Sequence, residues 1–263
     1  MRIDFHVHAF PDKLAGRALS VLSQNSGYTP ESDGTFADTY RKMKEGGTDR
    51  FVLLNVAQTP AQIHNANSFV LEHAGGDVFA FAALHPFAPD ALYELDRAAE
   101  AGLKGVKLHP EYQGFDIDDR AVYPFYEACL SKGMVLLFHA GFDSAYPDSR
   151  RGYPDRSSRV VKDFPGAKLV LAHLGNCIDS AESLELLCRL DCYMDLSICY
   201  KTMPWDQIRA VIKAHSADKI LFGTDFPWGS IADTVDMVER LGLSEEEKEK
   251  IYHKNAEKLL DIG

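Results

Sequence analysis

Eight short apolar runs recur along the chain, separated by stretches with helical periodicity, and this alternation limits the available folds more than any other feature. The runs are RIDFHVH (2–8), RFVLLNV (50–56), VFAFAALHP (78–86), LKGVKLHP (103–110), MVLLFHAG (134–141), AKLVLAHLG (167–175), CYMDLSI (192–198) and DKILFGTD (218–225). Between them fall FADTYRKMKEGG, PAQIHNANSFVLEHAGG, PDALYELDRAAEAG, RAVYPFYEACLSKG, RSSRVVKDFPG, SAESLELLCRL and MPWDQIRAVIKAHS. Several end at glycine, as a helix C-terminus does. Near-continuous apolar strands alternating with helices are parallel β/α units. Eight such units close into a single (β/α)8 TIM barrel, expected to span residues 1–263 as one domain. The alternative is an open doubly wound sheet, but no Gly-x-Gly-x-x-Gly follows the first run. Segments 9–37 and 111–121, rich in Gly, Asp, Ser and Pro, read as loops after the first and fourth strands. In a barrel such loops face the catalytic end and form substrate walls or lids.

Composition narrows the function classes. The length of 263 residues suits a one-domain barrel, and 46% hydrophobic with 25% charged residues is ordinary globular usage. A net charge of −11 argues against nucleic acid and anionic membranes as partners. The longest apolar runs, such as GMVLLFHAG, are too short to cross a membrane. Cys129, Cys177, Cys188, Cys192 and Cys199 are odd in number and form no Cys-x-x-Cys pair. No disulfide framework is expected and a reducing cytoplasm fits; Cys188 and Cys192 read as packing residues, and no apolar leader opens the sequence.

The polar residues collect at the carboxyl ends of the predicted strands. The first strand supplies His6 and His8, which share a face with Asp4 in an extended chain. Later strands supply His85, His109, His139, His173 and Asp225. Strand-end residues converging on one mouth are the pattern of a barrel active site. Neutral imidazoles with a carboxylate suit a borderline divalent ion such as zinc, and a position left open for water gives a nucleophile near neutral pH.

The motifs DFHVH, LFHAG, LAHLG and GTDFPW, in this order on strands one, five, six and eight, resemble the amidohydrolase superfamily. The similarity is greatest to its amidohydrolase-related branch (amidohydrolase 2, aminocarboxymuconate semialdehyde decarboxylase-like), which also closes on a helix like KNAEKLL. This resemblance implies metal ligands at His6, His8, His139 and Asp225, with His173 beside the metal-bound water. It implies one divalent ion, zinc by preference, or two if Lys107 is carboxylated and bridges them. A homodimer is the assembly it suggests.

Other candidates remain open from sequence. Lys107 either carries that bridge or neutralises Asp4 or Asp225 inside the barrel. His109 is an extra ligand, a substrate donor or a partner for a carboxylate. Asp195 and Ser197 read as hydrogen-bonding support, and His85 as a capping or packing residue. His64, His73, His215 and His253 read as solvated surface residues. Arg150, Arg151, Arg156 and Arg159 either pair with a substrate carboxylate or serve as surface charge, and Tyr112 and Trp228 are candidate pocket walls. The leading expectation is a hydrolase: activated water attacks a small amide, lactone or ester, with Asp225 and His173 handling the proton. The alternative is nonoxidative decarboxylation of a small unsaturated or aromatic acid. Either substrate is a small molecule, and the arginines favour an acidic one.

Overall fold

The computed structural model describes residues 1–262. Eight parallel strands form one sheet in chain order: β1 (Ile3–Val7), β2 (Arg50–Leu53), β3 (Val78–Ala83), β4 (Gly105–Leu108), β5 (Val135–Phe138), β6 (Leu169–Leu171), β7 (Tyr193–Asp195) and β8 (Ile220–Leu221). Helices fill the connections. The segment around β8 bonds back to β1 through Phe5 N–H to Phe222 O at 2.8 Å and His8 N–H to Phe226 O at 2.7 Å. The architecture is therefore the (β/α)8 barrel that the alternating pattern predicts.

The apolar alternation divides the strands between two cores. Val52 and Leu54 of the second run, Phe81, Val135 and Leu137, Val170 and Leu221 join one cluster, which also takes in Ala256, Leu259 and Leu260 of the last helix. The neighbouring positions Phe51, Leu53, Ala80, Ala82, Val106, Leu108, Leu136 and Phe138 join the other, with the surrounding helices. Both strand faces are buried, as a parallel barrel requires. All five cysteines are free and buried among these side chains. Among the described residues no helix is long and apolar enough to cross a membrane.

Two predicted loops differ from expectation. Segment 9–37 contains a helix, Asp12–Ser26, that buries Ala15 and Leu19. Its glycine, serine and asparagine content hides the short apolar stripe that holds it to the barrel. Segment 111–121 begins inside a single helical turn, Pro110–Gln113, and Gln113 Nε2 donates to the carbonyls of Ala57 and Leu84 at 2.8 and 2.7 Å. His215, expected on the surface, is buried and its Nε2 donates to Cys192 O at 2.8 Å.

Gly141, just past β5, holds the mouth together. Its φ is +81°, and an added Cβ would lie 2.4 Å from Asn176 Cα and 2.8 Å from Gly175 O. Replacing it with alanine should destabilise the protein by about 2–4 kcal/mol, since neither backbone can retreat. Urea denaturation measures this, and an unchanged midpoint would contradict the close approach.

Candidate active site

Five imidazoles run side by side across the carboxyl ends of the strands. Ring centroids are 5.1 Å apart for His8 and His6, 5.1 Å for His6 and His173, 4.7 Å for His173 and His139, and 4.0 Å for His139 and His109. The strand ends are bent to aim them. His173, Leu174, Ile198 and Asp225 all have φ between 52° and 65°, a left-handed conformation that costs a non-glycine residue about 1–3 kcal/mol. Gly223 admits this crowding, because a Cβ there would sit 3.2 Å from His6 Cβ and 3.3 Å from Asp195 Cβ.

The hydrogen-bond partners fix which nitrogen of each ring carries the proton. Asp195 is fully buried and accepts from His6 Nδ1 at 2.8 Å. Its other oxygen accepts the backbone N–H groups of His173 and Ser197 at 3.0 and 3.1 Å and the Ser197 hydroxyl. Burial would raise this carboxyl, but His6 and these donors hold it well below the usual range. His6 itself is pushed down to about 3 by burial and the Lys107 charge, so it is neutral, with a lone pair on Nε2. His8 Nδ1 donates to Leu54 O at 2.6 Å, which leaves its Nε2 as the acceptor. Both lone pairs meet the same oxygen. Asp225 Oδ1 lies 3.1 Å from His8 Nε2 and 3.4 Å from His6 Nε2.

Three acceptors facing one point repel unless a cation or an extra proton lies between them. Asp225 does not supply that proton. Although burial raises its pKa, the His8, His6 and His173 imidazoles around it hold the carboxyl well below its ordinary value. Lys107, buried to 1% exposure, sends its Nζ to within 3.1 Å of His6 Nε2. Burial lowers it to about 8 against the pull of Asp195 and Asp225, so it is still mostly an ammonium at neutral pH, but of the three acceptors it touches only His6. His6, His8 and Asp225 present ligand atoms within 4.8 Å of one another, and this donor set fits a divalent transition metal.

His139 stands in a second group. Its ring stacks on His109, and both face Asp143, whose Oδ2 is 3.3 Å from His109 Nε2 and 3.7 Å from His139 Nε2. The sequence reading missed Asp143. It lies four residues after His139 in a loop where the arginines drew attention, and no strand-end pattern marks it. Glu111 was missed too. It is buried, accepts from Gly152 N–H at 3.0 Å, and burial pushes it up to about 7.

The remaining candidates have other partners. Arg150 binds Glu182 at 2.8 Å and stacks on Tyr153, while Arg151 binds Asp116 at 3.2 Å. Arg156 and Arg159 grip Asp118 at 2.7 and 2.6 Å. The Asp116 and Asp118 pairs tie the segment after β5 to the loop after β4, the Glu182 pair ties it to the segment after β6, and each arginine already has a carboxylate. Tyr112 packs edge-on against His109 at 4.3 Å and against Tyr146 at 5.3 Å, within reach of the mouth. Trp228 is buried in the outer core, and its carbonyl accepts from Lys201 at 2.6 Å. His85 caps its own turn by accepting from Phe87 N–H at 3.3 Å.

A barrel with histidines and a carboxylate gathered at the strand ends defines a class of enzyme built for a cation at that mouth. The comparisons with known proteins name the family. Residues 3–262 match the amidohydrolase family (amidohydrolase 2), and the chain belongs to it. No curated protein sequence matches it significantly. Among solved structures it is similar to a dihydroxybenzoic acid decarboxylase from Polaromonas sp. JS666 with bound manganese and 2-nitroresorcinol: TM-score 0.74 and 19% identity over 99% of this chain and 96% of that one. It is similar to 5-carboxyvanillate decarboxylase from Sphingomonas paucimobilis, with TM-score 0.75 and 16% identity over 100% and 99% of the two chains. A probable 2-pyrone-4,6-dicarboxylic acid hydrolase from Acinetobacter baumannii, with citric acid bound, gives TM-score 0.70 and 16% identity over 99% of each chain.

The tautomer assignments are directly testable. Long-range nitrogen–proton NMR correlations of the metal-free protein should show His6 and His8 protonated on Nδ1 and bare on Nε2. The reverse tautomer on His6 would contradict the Asp195 arrangement.

Proposed function

We propose that the chain is a metal-dependent, nonoxidative decarboxylase of a small aromatic or unsaturated acid. The observation that carries this reading is the convergence of His6 Nε2, His8 Nε2 and Asp225 Oδ1 on one point, at the end of a barrel whose cationic loop residues are already paired. With Arg150 and Arg151 engaged, the positive charge available to a substrate carboxylate comes from the metal and Lys107. Similarity to barrels that decarboxylate hydroxybenzoates and carboxyvanillate supports the reaction class. The aromatic edge made by Tyr112 and Tyr146 supports a flat substrate.

His6, His8 and Asp225 would hold a divalent transition metal, zinc or manganese, which would supply Lewis-acid polarisation of a carboxylate or neighbouring oxygen. His139, implied as a fourth ligand by the family resemblance, has no hydrogen-bond partner on its buried Nε2 among the described residues, as a ligand nitrogen would. Asp195 keeps His6 in the ligating tautomer and Leu54 O does the same for His8. Asp225 is ionised in the resting protein, so it takes a proton from the substrate's acidic group. It returns that proton to the carbon that loses carbon dioxide. The carbon–carbon bond pair moves into the ring or alkene, and the new carbon–hydrogen bond replaces the lost carboxylate. His173, oriented by the Ser197 hydroxyl at 2.8 Å, supports the site's charge through His139 and His6.

Hydrolysis is the second reading, favoured by the similarity to the probable pyrone-dicarboxylate hydrolase. There Asp225 and His173 would take the proton of an attacking water, and the scissile group would be a small lactone, amide or ester.

Metal-loaded protein should release carbon dioxide from a panel of hydroxybenzoates and carboxyvanillate-type acids, and Asp225→Asn should lower that rate roughly 10²–10⁴-fold. Release of ring-opened product from a pyrone dicarboxylate, with no carbon dioxide from any acid, would replace decarboxylation with hydrolysis. Asp195→Asn should weaken metal binding about 10–100-fold by freeing the His6 tautomer, and unchanged affinity would contradict that role.

A further inference from the structure

We propose that Lys201 and the Tyr28 hydroxyl form a subsite for a second anionic group on the substrate, across the barrel mouth from Tyr112 and Tyr146. The inference rests on reading His6, His8 and Asp225 as a metal centre that takes a small acid. It narrows that acid to one with two anionic groups, an aromatic dicarboxylate being the simplest.

Lys201 is an uncommitted cation at the mouth. Arg150, Arg151, Arg156 and Arg159 are each bound to a carboxylate, and Lys107 lies inside the barrel against His6. Lys201 has no carboxylate within ion-pair distance among the described residues. Its Nζ donates to Trp228 O at 2.6 Å and sits 5.2 Å from the Tyr28 ring centroid and 5.5 Å from that of Tyr200. An ammonium has three N–H donors and a full positive charge. The carbonyl takes one donor and leaves the charge in place, and the two rings offset only part of it. The other donors have no protein acceptor among the described residues.

The fold holds this ammonium still. Lys201 lies on the short helix Cys199–Thr202, which the left-handed residue Ile198 starts just after β7. The Thr202 hydroxyl donates to Cys177 O at 2.6 Å and ties that helix to the segment after β6. Lys201 ties it on the other side to the turn after β8, where Trp228 N–H donates to Asp225 O at 2.8 Å. The anchor of the lysine and the carboxylate of the metal centre therefore belong to one turn.

Tyr28 completes the subsite. It is half-buried in the segment after β1, and its hydroxyl is pushed up by burial and by the neighbouring Cys177 and Asp225, which places it toward the same mouth. Tyr28, Lys201 and Trp228 follow β1, β7 and β8, whereas Tyr112 and Tyr146 follow β4 and β5, the strands opposite β8 and β1 in the ring of eight. A flat acid resting on the two tyrosines, with its reacting carboxylate toward His6, His8 and Asp225, would carry a second anionic group toward Lys201. The metal and Lys107 serve the carboxylate that reacts, and Lys201 serves the one that stays.

The test reads binding rather than turnover, so it holds for decarboxylation and hydrolysis alike. Calorimetric titration of the zinc-loaded, full-length protein should show isophthalate binding about 10–100-fold tighter than benzoate, the gain from one charge-assisted contact. Lys201→Met keeps the aliphatic stem against the rings and removes the charge, and it should bring isophthalate down to the level of benzoate. Lys201→Arg should retain the preference, and Tyr28→Phe should weaken isophthalate roughly 2–10-fold. Equal affinities in the unmodified protein would overturn the subsite, and a preference undiminished in Lys201→Met would remove Lys201 from it. Either result leaves the metal centre and its reaction standing. An intact preference with no carbon dioxide released from any acid would overturn the decarboxylase reading and leave the subsite. Binding of neither acid would overturn the carboxylate site on which both rest.

Discussion

Three hydrogen-bond acceptors aimed at one point are the constraint on which the rest of this site depends. His6 and His8 each give their Nδ1 proton away, one to Asp195 and the other to Leu54 O, and both direct bare Nε2 atoms at Asp225. Acceptors brought this close in a buried pocket repel each other. The arrangement persists in a folded chain because the scaffold is rigid and because a positive charge belongs among them. Lys107 supplies some of it, but a single ammonium touching His6 does not reach all three atoms in the manner of a divalent ion.

The barrel supplies the rigidity. Strands β1, β7 and β8 are neighbours, so residues more than two hundred positions apart meet at one end. Asp4 links β1 to the turn after β8 by accepting from Thr224 N–H at 3.1 Å and from its hydroxyl at 2.7 Å. Asp195 performs the corresponding task between β1, β6 and β7. These buried carboxylates keep the left-handed residues His173, Ile198 and Asp225 in place, and backbone strain of this kind clusters where a fold sustains chemistry. The ion-paired arginines act further out, pinning the loop after β5 above the mouth.

The barrel was legible because its determinant is local. Each strand announces itself by apolar alternation, and eight units in sequence leave few ways to close. The strand-end histidines and Asp225 were legible for the same reason, since each sits at a fixed offset from a strand. Residues on loops were not. Asp143 and Glu111 reach the mouth through turns whose course depends on packing, and a carboxylate in a polar loop looks like any other. The arginines suggested substrate recognition, but their partners Asp116, Asp118 and Glu182 lie far off in sequence, and pairing across loops leaves no periodic trace. The helix Asp12–Ser26 was hidden by the same limit, because two buried residues make too narrow a stripe to read.

Anomalous diffraction from a crystal saturated with zinc tests the central claim most directly. A peak about 2.0–2.2 Å from His6 Nε2, His8 Nε2 and Asp225 together is the predicted result. A saturated crystal with no anomalous density at that point, and those three side chains unchanged around it, would contradict the account.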